Sequence, residues 1–483
     1  MNPYPRRFLL AVVLVFLGLS GLVRAAGPVS LESGFATPPP EARLRAFWWW
    51  LNSNVTPASI TRDLVEMKAK GFGGALLFDA GGARQAYMGS NDQVPAGPAF
   101  GSPAWRELFK HALREADRLG LELSLNLQSG WNLGGPMVTT DDASKKLTWA
   151  ETEVQGPGAV NVALARGAVN DDFYRDVRVL AWRINPAQPA DRPPLQNYAS
   201  KALIARPTFP GPMGWIRSIS GLDMLPIFAA EEPAVSGEQD AIAAEVIDLT
   251  ARVAPDGTLA WDAPAGRWRV LRLGATLSEL RHVSTYSEGW GGYALDVLDK
   301  GAFRRYWDAV VEPLLADAAP FAGKALRYLH TDSWEVGAFN WTPTALEEFR
   351  SRRGYDPVPW LPVIAGRIVG SRAESNRFLH DFRRTLGDLA ADNHYRPFSA
   401  LAAKHGYGIH PESGGPHFTP IDALQCLAIG DIPKGEFWSE AKTHRNTDEA
   451  RFFVKQPASA AHTSGRPLVA AEGFTNVGLH WQE

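Results

Sequence analysis

Short apolar runs alternate with amphipathic helical patterns through the first part of the chain. Strand patterns cover residues 46–52, 73–78 and 121–127, and helical patterns cover residues 56–70 and 102–119. The helical stretches repeat apolar residues every three or four positions, whereas the strand stretches are short and rich in aromatic or branched residues. Three such strands with helices between them predict parallel strands joined by crossover helices.

The same alternation returns in the second half of the chain. Strand patterns are followed by helical ones, and the helix after residue 330 is predicted to begin with Thr342 as N-cap and Pro343 in the first turn. Seven strands with helices predict an α/β fold of the (β/α)8 (TIM) barrel type. No eighth strand follows, so we expect the barrel to be incomplete at the C-terminus, with a seven-stranded or differently closed barrel as the alternative. The later strands are predicted at residues 326–330, 408–410, 432–437 and 468–471, and the helices at 302–318, 372–405, 419–429 and 447–464.

The stretch between the third and fourth strands has a different pattern. From residue 146 to residue 286, short strand patterns and turn-forming Pro and Gly prevail, and helical periodicity is scarce. Residues 267–273 alternate in polarity, which predicts a strand with one buried and one wet face. We therefore expect a β-rich insertion at 146–286 between two parts of the barrel, 26–145 and 287–483.

The N-terminus has the pattern of an export signal. Arg6 and Arg7 precede an apolar run over residues 8–23, and Val23 and Ala25 have the spacing that signal peptidases recognise. We expect residues 1–25 to be removed, with the mature protein exported to the periplasm or the outside and no longer bound to the membrane. An uncleaved membrane anchor is the alternative, because the run is near the shortest length that spans a bilayer.

Charge gives no reason to expect a nucleic acid or an anionic membrane as a partner. The chain has 483 residues, with 49 basic and 52 acidic side chains and a net charge of -3. Its 45% hydrophobic content is enough for a large core. The one cysteine, Cys426, lies in an apolar helical pattern and cannot form an internal disulfide bond.

Carboxylates follow the last four predicted barrel strands. Asp332 and Glu335 come after the fourth, and Glu412, Glu436 and Glu472 come at the ends of the next three. In β/α barrels the chemistry lies at the C-terminal ends of the strands, so these groups are expected around one mouth. Paired carboxylates there suit glycoside hydrolysis, in which one carboxyl group donates a proton and the other activates water or attacks the sugar.

Five short motifs carry a resemblance to a known family. They are Trp48-Trp49-Trp50-Leu51-Asn52, residues 329–335 (Leu-His-Thr-Asp-Ser-Trp-Glu), residues 410–416 (His-Pro-Glu-Ser-Gly-Gly-Pro), residues 435–438 (Gly-Glu-Phe-Trp) and residues 471–475 (Ala-Glu-Gly-Phe-Thr). Together they span nearly the whole mature chain, and in them the sequence resembles glycoside hydrolase family 106, the bacterial α-L-rhamnosidases.

The resemblance implies calcium-dependent hydrolysis with inversion, which removes terminal α-L-rhamnose from oligosaccharides, plant glycosides or pectic glycans. On this resemblance Glu335 stands at the position of the general acid and Glu472 at that of the base. Asp332 and Glu436 match further active-site carboxylates. Members of the family usually continue beyond this length with β-rich domains.

Candidate ligands of calcium and of the sugar lie in the same motifs. Calcium prefers hard oxygen ligands, which makes Asp332, Glu412 and Glu436 the candidate metal ligands; ion pairs with Arg or Lys are the alternative role. Aromatic, amide and imidazole groups near the strand ends are candidates for sugar contacts, with ordinary core packing as the alternative for each tryptophan. The predicted substrate-binding residues are Trp50, Asn52, His330, Glu412 and Trp438.

Two other functions are compatible with these patterns. One is a retaining barrel glycosidase that acts on a different sugar. The other is an exported glycan-binding protein without turnover, built on a catalytic scaffold. Hydrolysis of a panel of aryl glycosides separates the first from a rhamnosidase, and binding without turnover identifies the second.

Overall fold

The structure is a computed structural model. It describes residues 30–81, 94–189, 191–204, 231, 233–279, 281–334, 336–413, 421–438 and 452–475. The predicted signal peptide and its cleavage site lie outside the described residues. So does Glu335, the predicted general acid.

The strands are numbered along the chain. They are β1 Arg45–Leu51, β2 Gly74–Ala80, β3 Glu122–Ser129, β4 Gly134–Gly135, β5 Lys145–Ala163, β6 Arg175–Arg183, β7 Ile247–Asp248, β8 Thr258–Leu277, β9 Tyr293–Ala294, β10 Leu326–His330, β11 Gly408–Ile409, β12 Lys434–Trp438 and β13 Ala470–Thr475.

The helices alternate with most of these strands. They are α1 Leu31–Ala36, α2 Pro57–Ala69, α3 Pro103–Leu119, α4 Tyr198–Lys201, α5 Lys300–Tyr306, α6 Glu312–Ala318, α7 Ala345–Arg353, α8 Arg372–Ala390, α9 Arg396–Lys404, α10 Ala423–Ile429 and α11 Phe452–Ser464. Short 3-10 turns lie at Pro40–Ala42, Ala243–Glu245, Thr250–Arg252, Ala319–Phe321 and Val358–Ala365. None of the helices in the described ranges is both long and apolar enough to span a membrane.

Two π-helical turns interrupt longer helical segments. One, Trp307–Val311, joins α5 to α6, and the other, Ala391–Tyr395, joins α8 to α9. Each of the predicted helices, 302–318 and 372–405, is therefore one helical segment that contains a wider π turn in its middle.

A parallel sheet forms the centre of the fold. Its strand order is β1-β2-β3-β10-β11, and β12 and β13 form a second parallel pair. The predicted mixed α/β architecture with parallel strands is confirmed. A complete (β/α)8 barrel is not seen: β1 and β13 are unpaired with each other among the described residues, and these residues supply seven parallel strands.

The five-stranded sheet and the β12–β13 pair nevertheless lie along one curved surface. The carbonyl of Ile409 in β11 accepts hydrogen bonds from the amides of Asp431, at 2.9 Å, and Ile432, at 3.3 Å. At the start of β12, the Lys434 ammonium lies 4.5 Å from the ring centre of Phe47 in β1. The sheet therefore curves until its sixth parallel strand approaches its first.

The middle strands are buried on both faces because helices cover the outer side. All seven residues of β2 and seven of the eight in β3 are buried; β2 is a nearly continuous apolar run, whereas in β3 leucines alternate with the buried polar residues Ser124, Asn126 and Gln128. At Gly74 a Cβ atom would lie 1.8 Å from the carbonyl oxygen of Glu122, so the close contact between β2 and β3 requires glycine there.

Helix boundaries follow the capping residues in most cases. Ser102 caps α3 by accepting the amide of Trp105, and Gly120 ends the helix in the left-handed region with φ of 61°. The prediction for the helix after β10 was wrong by two residues. Helix α7 begins at Ala345 with Thr344 as N-cap, and Thr342 is instead completely buried in the segment before the helix.

The residues between β3 and β10 form a four-stranded antiparallel sheet with strand order β5-β8-β6-β7. Strands β5 and β8 pair along almost their whole lengths, from Lys145 opposite Leu277 to Ala163 opposite Thr258. A separate apolar cluster, which includes Val179, Trp261 and Trp268, covers one end of this sheet.

The predicted alternation in β8 holds only for its middle part. Trp268 and Val270 are buried, and Arg269 pairs with Glu153 at 2.5 Å on the other face. From Leu271 to Leu277 every residue is buried, because here the second face packs into the main core. The same strand therefore belongs to both hydrophobic clusters.

Asp79 at the end of β2 joins several loops. Its carboxylate accepts hydrogen bonds from the Ser53 hydroxyl at 2.5 Å, the Ser287 hydroxyl at 2.6 Å and the Trp105 indole at 3.1 Å. The side chain is completely buried, and burial raises its pKa although these donors and Ser129 lower it. Asp79 thus connects three parts of the chain: the segment after β1, the loop before β9 and the start of α3.

Replacement of Asp79 by alanine should destabilise the protein markedly. Each buried donor left without an acceptor costs about 1–3 kcal/mol, so we expect a loss on the order of 3 kcal/mol or more in the free energy of unfolding. Urea denaturation measures it. The exposed Asp117 on α3 provides the control, since Asp117→Ala should change stability by no more than about 0.5 kcal/mol. Equal stability of the two variants would show that the Asp79 network contributes little.

Candidate active site

Four of the five predicted carboxylates lie in the described part of the chain. Asp332 follows β10, Glu412 follows β11, and Glu436 and Glu472 lie within β12 and β13. Glu412 is next to the β10 loop, because its amide donates to the carbonyl of Thr331 at 3.0 Å. Glu436 and Glu472 are direct partners in the register of the parallel pair. The carboxylates therefore come from four successive parallel strands.

Burial differs among these groups. Asp332, Glu412 and Glu436 are buried, with 7%, 5% and 5% of each residue exposed, whereas Glu472 is half-buried. The hydroxyl of Thr475 donates to the Glu472 carboxylate at 2.6 Å. Glu472 is thus the carboxylate of this set with the best access to solvent, as a base that activates water requires.

Lys434 supplies the positive charge beside these carboxylates. Its ammonium lies 3.4 Å from Oε1 of Glu412, and both side chains are almost completely buried. Burial disfavours the charged ammonium, but the nearby charges of Glu412, Asp332 and Glu472 outweigh it and raise the pKa of Lys434. Lys434 was not among the residues singled out from the sequence. Its position two residues before Glu436, pointing to the same face of the strand, was the available signal.

Asp332 is held in a form that favours a proton. Burial is the largest effect and raises the pKa of Asp332. The Lys434 ammonium lowers this pKa, and the charge of Glu472 raises it again. A side-chain hydrogen bond with Glu412 lowers the pKa of Asp332 again, without reversing the effect of burial. The backbone amide of Ser333 donates to Asp332 Oδ1 at 2.7 Å.

His330 and His410 form the layer behind Asp332. Their ring centres are 5.0 Å apart, and Nδ1 of His330 donates to the carbonyl of His410 at 2.8 Å. With the proton on Nδ1, Nε2 of His330 is an acceptor, 3.9 Å from Asp332 Oδ2. Burial lowers the pKa of both imidazoles well below the usual value, which keeps the rings neutral at neutral pH. His330 is fully buried, so it supports Asp332 and is not itself a surface for a sugar.

An aromatic cluster covers the inner face of the first two strands. Trp49 lies 4.7 Å from Phe78 and 5.5 Å from Trp131 between ring centres, and Phe47 stacks on Trp49 at 5.3 Å. Phe78 in turn is 6.1 Å from His330, which connects the cluster to the carboxylates. Trp49 is 41% exposed, so it presents a flat apolar face of the kind that stacks on sugar rings.

Trp50 does not have the predicted role. Successive residues of a strand point to opposite faces, and Trp50 lies on the outer face with Trp48. Its ring is completely buried, 5.5 Å from Trp105 of α3. Trp49, the neighbour that sequence reasoning passed over, occupies the inner face instead.

The other predicted sugar contacts are partly used within the protein. The Asn52 amide donates to the carbonyl of Val94 at 2.9 Å, and its oxygen accepts from the amide of Glu288 at 2.8 Å, so it braces two loops. Trp334 donates to the Tyr395 hydroxyl at 2.9 Å and is buried against helical residues. Trp438 lies in β12, but its side chain is outside the described part of the structure.

The predicted calcium ligands do not form a metal site as they stand. In the described ranges, no three side chains of His, Cys, Asp or Glu are arranged to bind one metal ion. Asp332 bonds to Glu412, and the Lys434 ammonium neutralises the pair.

The arrangement combines a carboxyl group that favours its proton, a more accessible carboxylate and an exposed indole. Such a set can donate a proton to a leaving oxygen and activate water, the two proton transfers that hydrolysis of a glycosidic bond needs. The neutral histidines and Lys434 hold the carboxyl groups in place without adding a second acid.

Comparison with known proteins agrees with this chemistry. A curated protein of Formosa agariphila, named as a candidate beta-glucuronidase, is 33% identical over 479 residues, which are 99% of this chain and 38% of that protein. The solved structure of a rhamnosidase from Novosphingobium sp. PP1Y matches with a TM-score of 0.71 at 29% identity, over 92% of this chain and 53% of that one. The chain thus spans about two fifths to one half of the length of these relatives.

A family model described as alpha-L-rhamnosidase, glycoside hydrolase family 106, matches residues 36–483, which include every carboxylate considered above. The family resemblance drawn from the five motifs is confirmed by this match and by the rhamnosidase structure. The chain therefore belongs to glycoside hydrolase family 106, whose chemistry is the hydrolysis of glycosides.

Proposed function

We propose that this chain carries the catalytic machinery of an exported α-L-rhamnosidase that cleaves terminal rhamnose with inversion. The observation that carries the proposal is the cluster of Asp332, Glu412, Lys434 and Glu472 at the ends of successive parallel strands. Glu335, three residues after Asp332, is proposed as the general acid and Glu472 as the base. Export is inferred from the N-terminal charge and apolar pattern.

An uncharged sugar fits this cluster better than a uronic acid. Three acidic side chains, those of Asp332, Glu412 and Glu472, act on one described ammonium, that of Lys434. A sugar carboxylate would be repelled by this excess of negative charge. The name of the Formosa relative makes a glucuronide the second candidate substrate. The rates of hydrolysis of p-nitrophenyl α-L-rhamnoside and p-nitrophenyl β-D-glucuronide decide between the two candidates. Faster turnover of the glucuronide would contradict the proposal.

The two catalytic carboxylates should respond differently to the leaving group. Glu472→Gln should lower kcat by about 10²–10⁴ for all rhamnosides, because every turnover needs activated water. Glu335→Gln should cost as much with alkyl rhamnosides but much less with a p-nitrophenyl rhamnoside, whose leaving group needs little protonation. Measured rates on the two substrate types test both roles.

Stereochemistry provides the control for this assignment. Water between base and sugar requires carboxyl groups about 6.5–9.5 Å apart and gives inversion, so proton NMR of the first sugar released from an α-rhamnoside should show the β anomer. Release of the α anomer would mean direct attack by a carboxylate and would overturn the roles given to Glu335 and Glu472.

Lys434→Met should destabilise the protein more at neutral pH than in acid. Removal of one partner from a buried ion pair costs about 3–5 kcal/mol because the other charge stays buried. The ammonium lowers the pKa of Asp332, so without it that raised pKa rises further, and stability is lost as pH rises through it. Urea denaturation across the pH range measures this. The exposed Lys68 gives the control, Lys68→Met, and equal losses at all pH values would contradict the prediction.

Calcium remains a proposal that rests on the family resemblance. We expect exhaustive chelation of the complete protein to abolish hydrolysis. Added calcium should restore hydrolysis and magnesium should not, because calcium takes more oxygen ligands and a more flexible coordination geometry than magnesium. The described carboxylates do not make up the site, so its ligands would include groups outside them. Full activity after chelation would leave Lys434 as the cation of this site.

A further inference from the structure

A second cleft lies between the antiparallel sheet and helix α7. It encloses 450 Å³, and its walls come from the start of β6, from β8 and from residues 341–350. Ligand sites in proteins have volumes of about 300–1,000 Å³ and occur often where two structural units meet. None of the strand-end carboxylates lines this cleft.

Lys145 is the buried polar group of the cleft. It is 3% exposed, and its ammonium donates to the backbone carbonyls of Asp141 and Ala143, each at 2.7 Å. An ammonium has three N–H groups, so one donor is left after these two hydrogen bonds in the described part of the chain. Lys145 thus offers a preorganised donor to a ligand.

The rim supplies donors and acceptors whose ion pairs within the protein are long. Arg175 lies 3.6 Å from Asp141; Arg178 lies 3.6 Å from Asp248 and also donates to the carbonyl of Val177 at 2.6 Å. Glu347 is exposed and has no ion pair within the described ranges. Guanidinium and carboxylate groups side by side can bind neighbouring hydroxyl groups of one sugar ring.

The walls also offer apolar surface. Trp341 and Leu346 line the cleft from the segment that follows β10, and Phe173 lines it from the sheet side. Cations already stand over Phe173, with the Arg175 guanidinium 5.0 Å and the Lys145 ammonium 5.6 Å from its ring centre. The apolar contact for a ligand is therefore left to the edges of Trp341 and Leu346 that reach the cleft, since these residues are only 6% and 8% exposed.

The charge balance of the cleft decides the class of ligand. Its cations have carboxylate neighbours: Arg350 pairs with Asp356 at 2.8 Å, and Lys145 feels four acidic side chains, of which Asp296 contributes most. Asp176 in the wall is neutralised by Arg272 at 2.8 Å. Since positive and negative groups cancel, the cleft has no excess charge to attract an anion.

We propose that this cleft is a second, non-catalytic saccharide-binding site that takes an uncharged sugar unit. The sugar hydroxyls bond to Lys145, Arg175 and Glu347, and the apolar face of the ring packs on Trp341 and Leu346. Such a site holds a glycan chain on the protein independently of the bond that is cleaved.

Fluorine NMR of the chain labelled with 5-fluorotryptophan tests the proposal directly. The Trp341→Phe variant identifies the resonance of Trp341. Uncharged disaccharides (cellobiose, xylobiose and rutinose) are then added singly up to the millimolar range, with digalacturonate as the charged counterpart. We expect at least one uncharged sugar to shift the Trp341 resonance to saturation and digalacturonate to leave it unchanged.

A double variant and a matched control locate the binding. Arg175→Ala combined with Glu347→Ala removes two exposed side chains, and we expect it to weaken the saturable shift by about tenfold or more. Arg304→Ala, which removes an exposed arginine of α5, should leave the shift intact. Hydrolysis of p-nitrophenyl α-L-rhamnoside should be the same in all three proteins.

Three results would overturn the proposal. They are the absence of a Trp341 shift with every uncharged sugar, a shift produced by digalacturonate alone, and an undiminished shift in the double variant. Loss of hydrolysis in the double variant would also overturn it, because the cleft would then be part of the catalytic site.

Discussion

The burial of several carboxylates at one end of a parallel sheet is the constraint on which the rest of this site depends. Removal of an ionised group from water costs several kcal/mol unless an opposite charge or a proton compensates it. This protein uses both means: the Lys434 ammonium stands beside Glu412, and burial raises the pKa of Asp332, which favours its protonated form. The strand ends can approach one another only because these compensations are built into adjacent strands.

Alternation along β1 shows how much of the site a sequence reveals. The run Trp48-Trp49-Trp50 identified an aromatic strand next to the candidate site, and the predicted parallel arrangement of this strand with the next two agrees with the sheet. Which tryptophan faces inward depends on where α2 and α3 pack, and that contact between distant parts of the chain is not written in the local pattern. Trp48 and Trp50 are therefore in the helix-covered core, and Trp49 meets Phe78 and Trp131.

Contacts between distant parts of the chain also explain the other differences between the predictions from sequence and the structure. The strand-end carboxylates could be predicted because polar residues after an apolar strand stand out in the sequence. Lys434 was not assigned to them, although it lies two residues before Glu436, since a lysine at the start of a strand is ordinarily exposed and only the curvature of the sheet brings it to Glu412 and Phe47. Likewise, Thr342 has the composition of an N-cap, but packing buries it completely and the helix begins after Thr344.

The π-helical turn at Ala391–Tyr395 makes the β10 loop dependent on the residue count of a helix far away in sequence. A π turn holds one residue more than an α turn for about the same rotation, so a deletion in the regular turns of α8 before it would rotate all later side chains by about 100°. Tyr395, which accepts the Trp334 indole, would leave its position, and with it the anchor of the segment that carries Asp332. Insertions and deletions in this helix are therefore constrained as strictly as changes at the strand ends, although none of its residues is a carboxylate of the site.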